Sequence, residues 1–149
     1  WKEILDIINK LADLGVIVEK WHPKDVFNGK SYDLRAVYQF GRIEYIVVRQ
    51  SDGPVTNLHL NNQAADIKEL GLSGGIMSGI EEICNKAVSL FDGLRVAGID
   101  VMLDKGSRKP RIIEINGQGD LIYQDIFSEN IIYRKQAEFL KSMDTGSLK

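Results

Sequence analysis

Ala97-Gly98-Ile99-Asp100-Val101-Met102-Leu103, a polar stretch, and then Arg111-Ile112-Ile113-Glu114-Ile115-Asn116-Gly117 read as two strands of one hairpin. Side chains alternate between faces along a strand, so Asp100 and Met102 share a side, and Ile112, Glu114 and Asn116 share a side. With the turn centred on Lys105 to Pro110, Asp100 falls opposite Glu114 or Asn116. Two carboxylates and an amide oxygen converging on an apolar sheet repel and are poorly solvated unless a positive charge sits between them. A hard divalent cation meets that demand. Magnesium keeps octahedral oxygen coordination and takes one or two carboxylates together with substrate phosphates and water. The alternative is that Glu114 and Asn116 lie on the solvated face of a half-exposed antiparallel strand.

Outward from the hairpin, the stripe Ile80, Ile83, Cys84, Ala87, Val88 and Phe91 predicts a helix that opens on a Ser78/Glu81 capping box and runs to Gly93. Cys84 belongs to that stripe and is read as core packing. Upstream, Tyr32 to Phe40 and Ile43 to Gln50 predict a strand pair across Gly41-Arg42, with glycine first in a type II′ turn. Asp33, Arg35 and Val37 then share one face, and Leu34, Ala36 and Tyr38 the other. That turn sets Arg49 opposite Leu34, on the face away from Arg35, unless a bulge or a strand end near Val48 intervenes.

Ile4, Leu5, Ile8, Leu11 and Leu14 predict a helix stopped at Gly15, followed by a strand over Val16 to Trp21 and a loop through Asn28-Gly29-Lys30. Ser51 to Gly79 is polar and weakly patterned, with Thr56-Asn57-Leu58-His59-Leu60 its one strand-like piece; a loop of that length is often functional. Gly117-Gln118-Gly119 reads as a loop, a last helix runs from Glu129 to Met143, and Thr145 to Lys149 reads as a frayed tail. The order implies an α+β fold: one domain over residues 1–149, with a mostly antiparallel sheet and helices packed on one side.

A chain of 149 residues, 44% hydrophobic and 27% charged, is long enough for a single core. Its net charge of -2 carries no electrostatic footprint for nucleic acid. One cysteine excludes an internal disulfide framework, and no apolar run is long enough for a membrane span, so a cytoplasmic protein is expected. The chain starts inside an amphipathic pattern, Trp1-Lys2-Glu3, as a portion of a longer polypeptide would.

The ordered series Val18-Glu19-Lys20-Trp21, Asp33-Leu34-Arg35, Arg49, Asn57-Leu58-His59, Ala97-Gly98-Ile99-Asp100 and Glu114-Ile115-Asn116 resembles the carboxy-terminal part of an ATP-grasp enzyme. The nearest branch is that of glutathione synthetase and the RimK-like peptide ligases. The likeness spans Val16 to Gln124 and lies in the order of the pieces, none of which is specific alone. It implies an ATP-grasp-like fold and an ATP-dependent carboxylate-amine ligase. ATP phosphorylates a carboxylate, an amine attacks the acylphosphate, and a tetrahedral intermediate collapses to an amide.

Carried over by residue, the resemblance makes Asp100, Glu114 and Asn116 ligands of magnesium or manganese bridging the ATP phosphates. Phosphoryl transfer needs its spreading negative charge met by ions held in place beforehand. Arg35 and Arg49 become catalytic cations beside the transferred phosphate and the substrate carboxylate, where a guanidinium binds bidentately. Glu19, Lys20 and Trp21 match a hinge whose backbone reads the adenine edge, although Trp21 also suits an ordinary buried aromatic. Asn57 matches a position near the phosphates and metal. Asp33 has three readings: a partner of Arg35, a contact on the ribose side of the nucleotide, or a cap of the turn near Gly29 to Ser31. His22 and His59 carry no expected role.

A complete ATP-grasp enzyme also has a lysine-bearing subdomain with a glycine-rich lid and a preceding substrate domain. Neither is found before Val16, so the chain alone is expected to be inactive, and its partners are those upstream domains and small-molecule or peptide acid and amine substrates. The competing readings are an ATP-grasp-like small-molecule kinase and a non-catalytic nucleotide-binding or interaction module.

Overall fold

In a computed structural model, which describes residues 1–17, 19–56, 63–117, 127 and 131–146, every described strand pairing is antiparallel. The strands are β1 (Val26–Phe27), β2 (Lys30–Gln39), β3 (Arg42–Ser51), β4 (Gln63–Asp66), β5 (Val96–Leu103) and β6 (Pro110–Asn116). They run in the order β4-β3-β2-β5-β6, with β1 hairpinned onto the start of β2. Among the described residues three α-helices accompany them: α1 (Lys2–Asp13), α2 (Gly74–Val88) and α3 (Ile131–Gly146). The α+β layout with a mostly antiparallel sheet is as the sequence predicts.

Alternation places Leu34, Ala36, Ile46, Val48, Ile99 and Val101 on one face, where they pack with Ile80, Cys84 and Val88 of α2. Leu34, Ile80 and Ile99 are fully buried, and each contributes about 2 kcal/mol by leaving water. Helix α2 is therefore the layer that covers this face. Its cap lies five residues before the expected Ser78, because Ser73 accepts a hydrogen bond from the Ile76 amide at 3.4 Å. The capping box lies elsewhere: Asp66 and Glu69 form one on a one-turn 3₁₀ helix, Ile67–Leu70, within the stretch read from sequence as loop.

Helix α1 ends as predicted, with Gly15 at φ +77° and backbone bonds Gly15 N to Ala12 O (2.9 Å) and Val16 N to Leu11 O (3.1 Å), a Schellman pattern. It buries none of its residues. The strand expected over Val16 to Trp21 is absent among the described residues, since nothing pairs with that segment, and Trp21 is 63% exposed rather than buried. Helix α3 continues through Thr145 and Gly146, further than the expected end at Met143, and its Phe139 stacks on Phe40 with ring centroids 3.6 Å apart.

Two turns and two bulges set the registers that matter; one bulge is Ile113 on β6, which lets Val101 pair with Ile112 and Asp100 with Glu114, so Ile112 packs against the core and does not share the side of Glu114 and Asn116 as expected. Asn28 and Gly29 both have positive φ, so the expected loop is a type I′ turn joining β1 to β2. Between β2 and β3 the turn residues are Phe40 and Gly41, again both at positive φ, and not the expected Gly41-Arg42 of type II′ geometry. Tyr38 then pairs with Ile43 but Val37 with Tyr45, so Glu44 is one extra residue on β3. Without that bulge the Phe40-Gly41 turn would set Arg49 opposite Tyr32, on the core face. With it, Arg49 stands opposite Asp33.

Candidate functional site

The face of the sheet away from the α2 core carries a row of charges. Arg35 pairs in register with Asp100 across β2 and β5, and Asp100 pairs with Glu114 across β5 and β6. Gly98 pairs with Asn116 two positions along, so Asp100, Glu114 and Asn116 lie on one face as predicted. Of the two partners that the sequence allows for Asp100, the register selects Glu114.

The carboxylate of Asp100 is already held. Arg35 donates to it through Nε to Oδ1 and through Nη2 to Oδ2 at 3.2 Å. Arg49 Nη2 reaches Oδ2 at 3.0 Å. Arg49 Nε in turn donates to Asp33 Oδ1 at 2.7 Å. The other oxygen of Asp33 takes Lys24 Nζ at 3.0 Å and the Thr56 hydroxyl, and Lys24 also donates to Thr56 Oγ1 at 2.7 Å. Lys24, Asp33, Arg49, Asp100 and Arg35 thus form one continuous chain of alternating charge.

All five side chains are nearly excluded from water. Burial opposes the charge on Arg49, but the carboxylates of Asp33 and Asp100 outweigh it and hold the guanidinium above its ordinary pKa. Its three cations meet two carboxylates within the network, and Glu114, opposite Asp100 across β5 and β6, adds a third at the exposed edge of the row.

Lys24 reaches the network from irregular chain that is stapled to the β5–β6 turn. Asp25 N bonds Leu103 O at 2.8 Å, Lys105 N bonds Pro23 O at 3.0 Å, and Lys24 bridges Asp104. Asp25 accepts from Tyr32 Oη at 3.0 Å and from Arg108 Nε at 2.8 Å. Sequence reading missed both Lys24 and Thr56; Thr56 stood beside the Asn57 it did single out, whereas nothing in the pattern marked Lys24. Asp33 is neither a partner of Arg35 nor a turn cap, because the register hands Arg35 to Asp100 and Arg49 to Asp33.

Glu19, Lys20 and Trp21 are exposed. Asn57 and His59 lie outside the described residues, as do Gln118 and Gly119 of the expected loop. A cleft of about 360 Å³ lies elsewhere, lined by Ile43, Glu44, Ile46, Ile67, Lys68 and Met77 among others, and none of the five network residues lines it.

Among the described residues no three His, Cys, Asp or Glu side chains gather as a metal cage. The donor set at issue is instead two carboxylates and an amide, Asp100, Glu114 and Asn116. Its hard oxygens on one face suit magnesium chemistry, and exposed Glu114 is accessible to an ion. Both oxygens of Asp100 are engaged by Arg35 and Arg49, so an ion on this set would have to displace a guanidinium. No helix of the described residues is long and apolar enough to cross a membrane.

No protein-family model matches the chain, and none of the curated proteins matches it.

Proposed function

We propose that this chain is the ATP- and magnesium-binding half of an ATP-dependent carboxylate-amine ligase acting through an acylphosphate, with an ATP-grasp-like fold. One observation carries the reading: a single sheet face aligns Arg35, Asp100 and Glu114 in one row, with Asn116 beside it and Arg49 linked to it. Oxygen donors and fixed guanidiniums on one surface are what transfer of a phosphoryl group requires. In this reading Asp100, Glu114 and Asn116 hold magnesium, which when bound neutralises phosphate charge. Arg35 and Arg49 hold the transferred phosphoryl group and the acid, and Lys24 and Thr56 keep Asp33 set against Arg49. The hinge residues Glu19, Lys20 and Trp21, and Asn57, take the nucleotide, and the whole protein supplies acid and amine from its other domains.

A second reading, a non-catalytic module, is favoured by one feature: both oxygens of Asp100 are occupied by guanidiniums, as in a structural ion-pair lock. Calorimetry separates the two. The ligase reading expects ATP binding that needs magnesium and is lost in Asp100→Ala and Glu114→Ala. No binding by the wild-type chain or by the longer protein containing it would leave the lock.

A further inference from the structure

Strand β3 is longer than the neighbour that covers it. β4 pairs with it over Val47 to Gln50, and after Asp66 the chain leaves the sheet for the capped 3₁₀ turn Ile67–Leu70. Among the described residues no strand pairs with Arg42 to Ile46 on that side. Which backbone groups face it follows from register. Phe40 N bonds Arg95 O, so the even-numbered residues of β2 point their amides and carbonyls at β5 and the odd-numbered ones at β3. Ile46 stands opposite Ala36 and Ile43 opposite Tyr38, so both turn their backbone groups away from β2, to the side on which β4 stops. A sheet edge of this kind is a template for another extended chain.

The cleft of about 360 Å³ opens beside this edge. Ile43, Ile46, Ile67 and Met77 line it, and all four pack on the core. Its rim is acidic, with Glu44, Asp66 and Glu81 against Lys68. Arg42 and Lys135 engage Glu44, and Asp66 accepts from the Lys68 amide as a cap. Glu81, one helical turn beyond Met77 on α2, is exposed and has no described ion-pair partner.

We infer that this edge and cleft form a docking site for an extended peptide. The peptide backbone pairs with β3 at Ile43 and Ile46, one apolar side chain enters the cleft, and a neighbouring lysine or arginine meets Glu81. Backbone pairing supplies the affinity and the pocket the specificity. None of the charged-network residues lines the cleft, so the inference does not depend on what that network binds. Two features select a short peptide over a second copy of the chain. The surplus Glu44 breaks the even spacing that a long strand needs, and a second β3 edge would bring its own acidic rim against this one.

The probe is the acetylated, amidated heptapeptide Lys-Thr-Val-Ile-Val-Thr-Lys, with Glu-Thr-Val-Ile-Val-Thr-Glu as its acidic counterpart. In ¹⁵N spectra of the 149-residue chain, the lysine peptide is expected to shift the Ile43 and Ile46 amides and to slow hydrogen exchange at Ile43. It is expected to bind about tenfold more tightly than the glutamate peptide. Glu81→Lys, a change on the exposed side of α2, is expected to reverse that preference. Methylating the backbone nitrogens of the lysine peptide keeps its side chains, removes its donors and is expected to abolish binding. No shift at Ile43 or Ile46 with millimolar lysine peptide, or binding that survives the methylation, overturns the inference. Equal binding of the two peptides overturns the part given to Glu81 and the partner chemistry with it. Concentration-dependent dimerisation that protects the same amides overturns it in favour of a second copy.

Discussion

Arg35 and Asp100 are register partners across β2 and β5, and the guanidinium closes on both oxygens of the carboxylate. Their removal is not symmetric in cost. Arg35→Ala leaves Asp100 with Arg49, whereas Asp100→Ala strips Arg35 of its described partner and Arg49 of one of two. Breaking a buried pair costs about 3–5 kcal/mol, so Asp100→Ala is expected at that level and Arg35→Ala below it. In urea denaturation the double variant is expected to cost less than the two singles together, with a coupling of roughly 1–3 kcal/mol. Equal costs for the two singles would show that Arg49 does not share Asp100.

Asp33 accepts from three donors, Arg49, Lys24 and Thr56, and is 3% exposed. Asp33→Asn removes the charge while nearly keeping the shape, which leaves Lys24 facing a neutral amide and Arg49 with Asp100 as its remaining carboxylate. A loss of about 3 kcal/mol is expected. Lys24→Met, which removes a cation from the end of the chain and keeps Arg49 on Asp33, is expected to cost under half as much. A larger loss for Lys24→Met would move the centre of the network away from Asp33.

Gln39 is fully buried, yet neither its amide nitrogen nor its amide oxygen has a hydrogen-bond partner among the described residues. An unmade hydrogen bond at a buried polar group costs about 1–3 kcal/mol. Gln39→Met, similar in volume and apolar, is expected to raise stability by about 1 kcal/mol in the same denaturation experiment. A loss of stability would reveal a partner for the amide.

Burial pushes the Cys84 thiol up to about 12, and Tyr32 is held protonated by its own burial and by Asp25. Folded Cys84 thus keeps its proton where the unfolded thiol, with a pKa of about 8.5, loses it. The unfolded state binds fewer protons in that window, so stability is full below pH 8.5 or so and falls by up to roughly 1.4 kcal/mol per pH unit above it. Urea midpoints from pH 8 upward are expected to decline in the wild type, and the decline below about pH 10, where Tyr32 joins in, is expected to flatten in Cys84→Ala. A thiol reagent that labels the native chain at pH 8 as fast as the unfolded one would contradict the burial.

The alternation that sets Asp100 on one strand and Glu114 and Asn116 on the next was legible, but their sharing a face also rests on a bulge, because Val101 pairs with Ile112 while Asp100 pairs with Glu114 and Ile113 is surplus. The side of Arg49 was not legible either, since it depends on a single surplus residue, Glu44, and on a turn one position earlier than glycine placement suggests. Bulges leave no compositional mark. The start of α2 was misread because Ser73-Gly74-Gly75 looks like loop, glycine being a poor helix former, while Ser78 and Glu81 have the spacing of a cap. Lys24 and Thr56 reach Asp33 from irregular chain, where no periodicity links sequence position to a partner. The Val16 to Trp21 run has strand composition but no described neighbour to pair with, and composition alone does not make a strand.

The Glu44 bulge makes the placement of Arg49 testable by changing chain length. Tyr38 pairs with Ile43 and Val37 with Tyr45, so removing Glu44 closes the ladder without moving any later pair, and Arg49 stays opposite Asp33. The deletion loses the contacts of Glu44 with Arg42 and Lys135, of which Arg42 is largely exposed, a cost of about 1 kcal/mol. An alanine inserted between Val48 and Arg49 does the opposite. It sets Arg49 opposite Tyr32 on the core face, away from both Asp33 and Asp100, and an unpaired guanidinium in that core costs at least about 3–5 kcal/mol. The deletion is therefore expected to fold with its Arg49 Nε–H signal preserved, and the insertion to unfold or lose most of its stability. Equal damage from the two would mean that β3 carries no surplus residue and that Arg49 reaches Asp33 by another register.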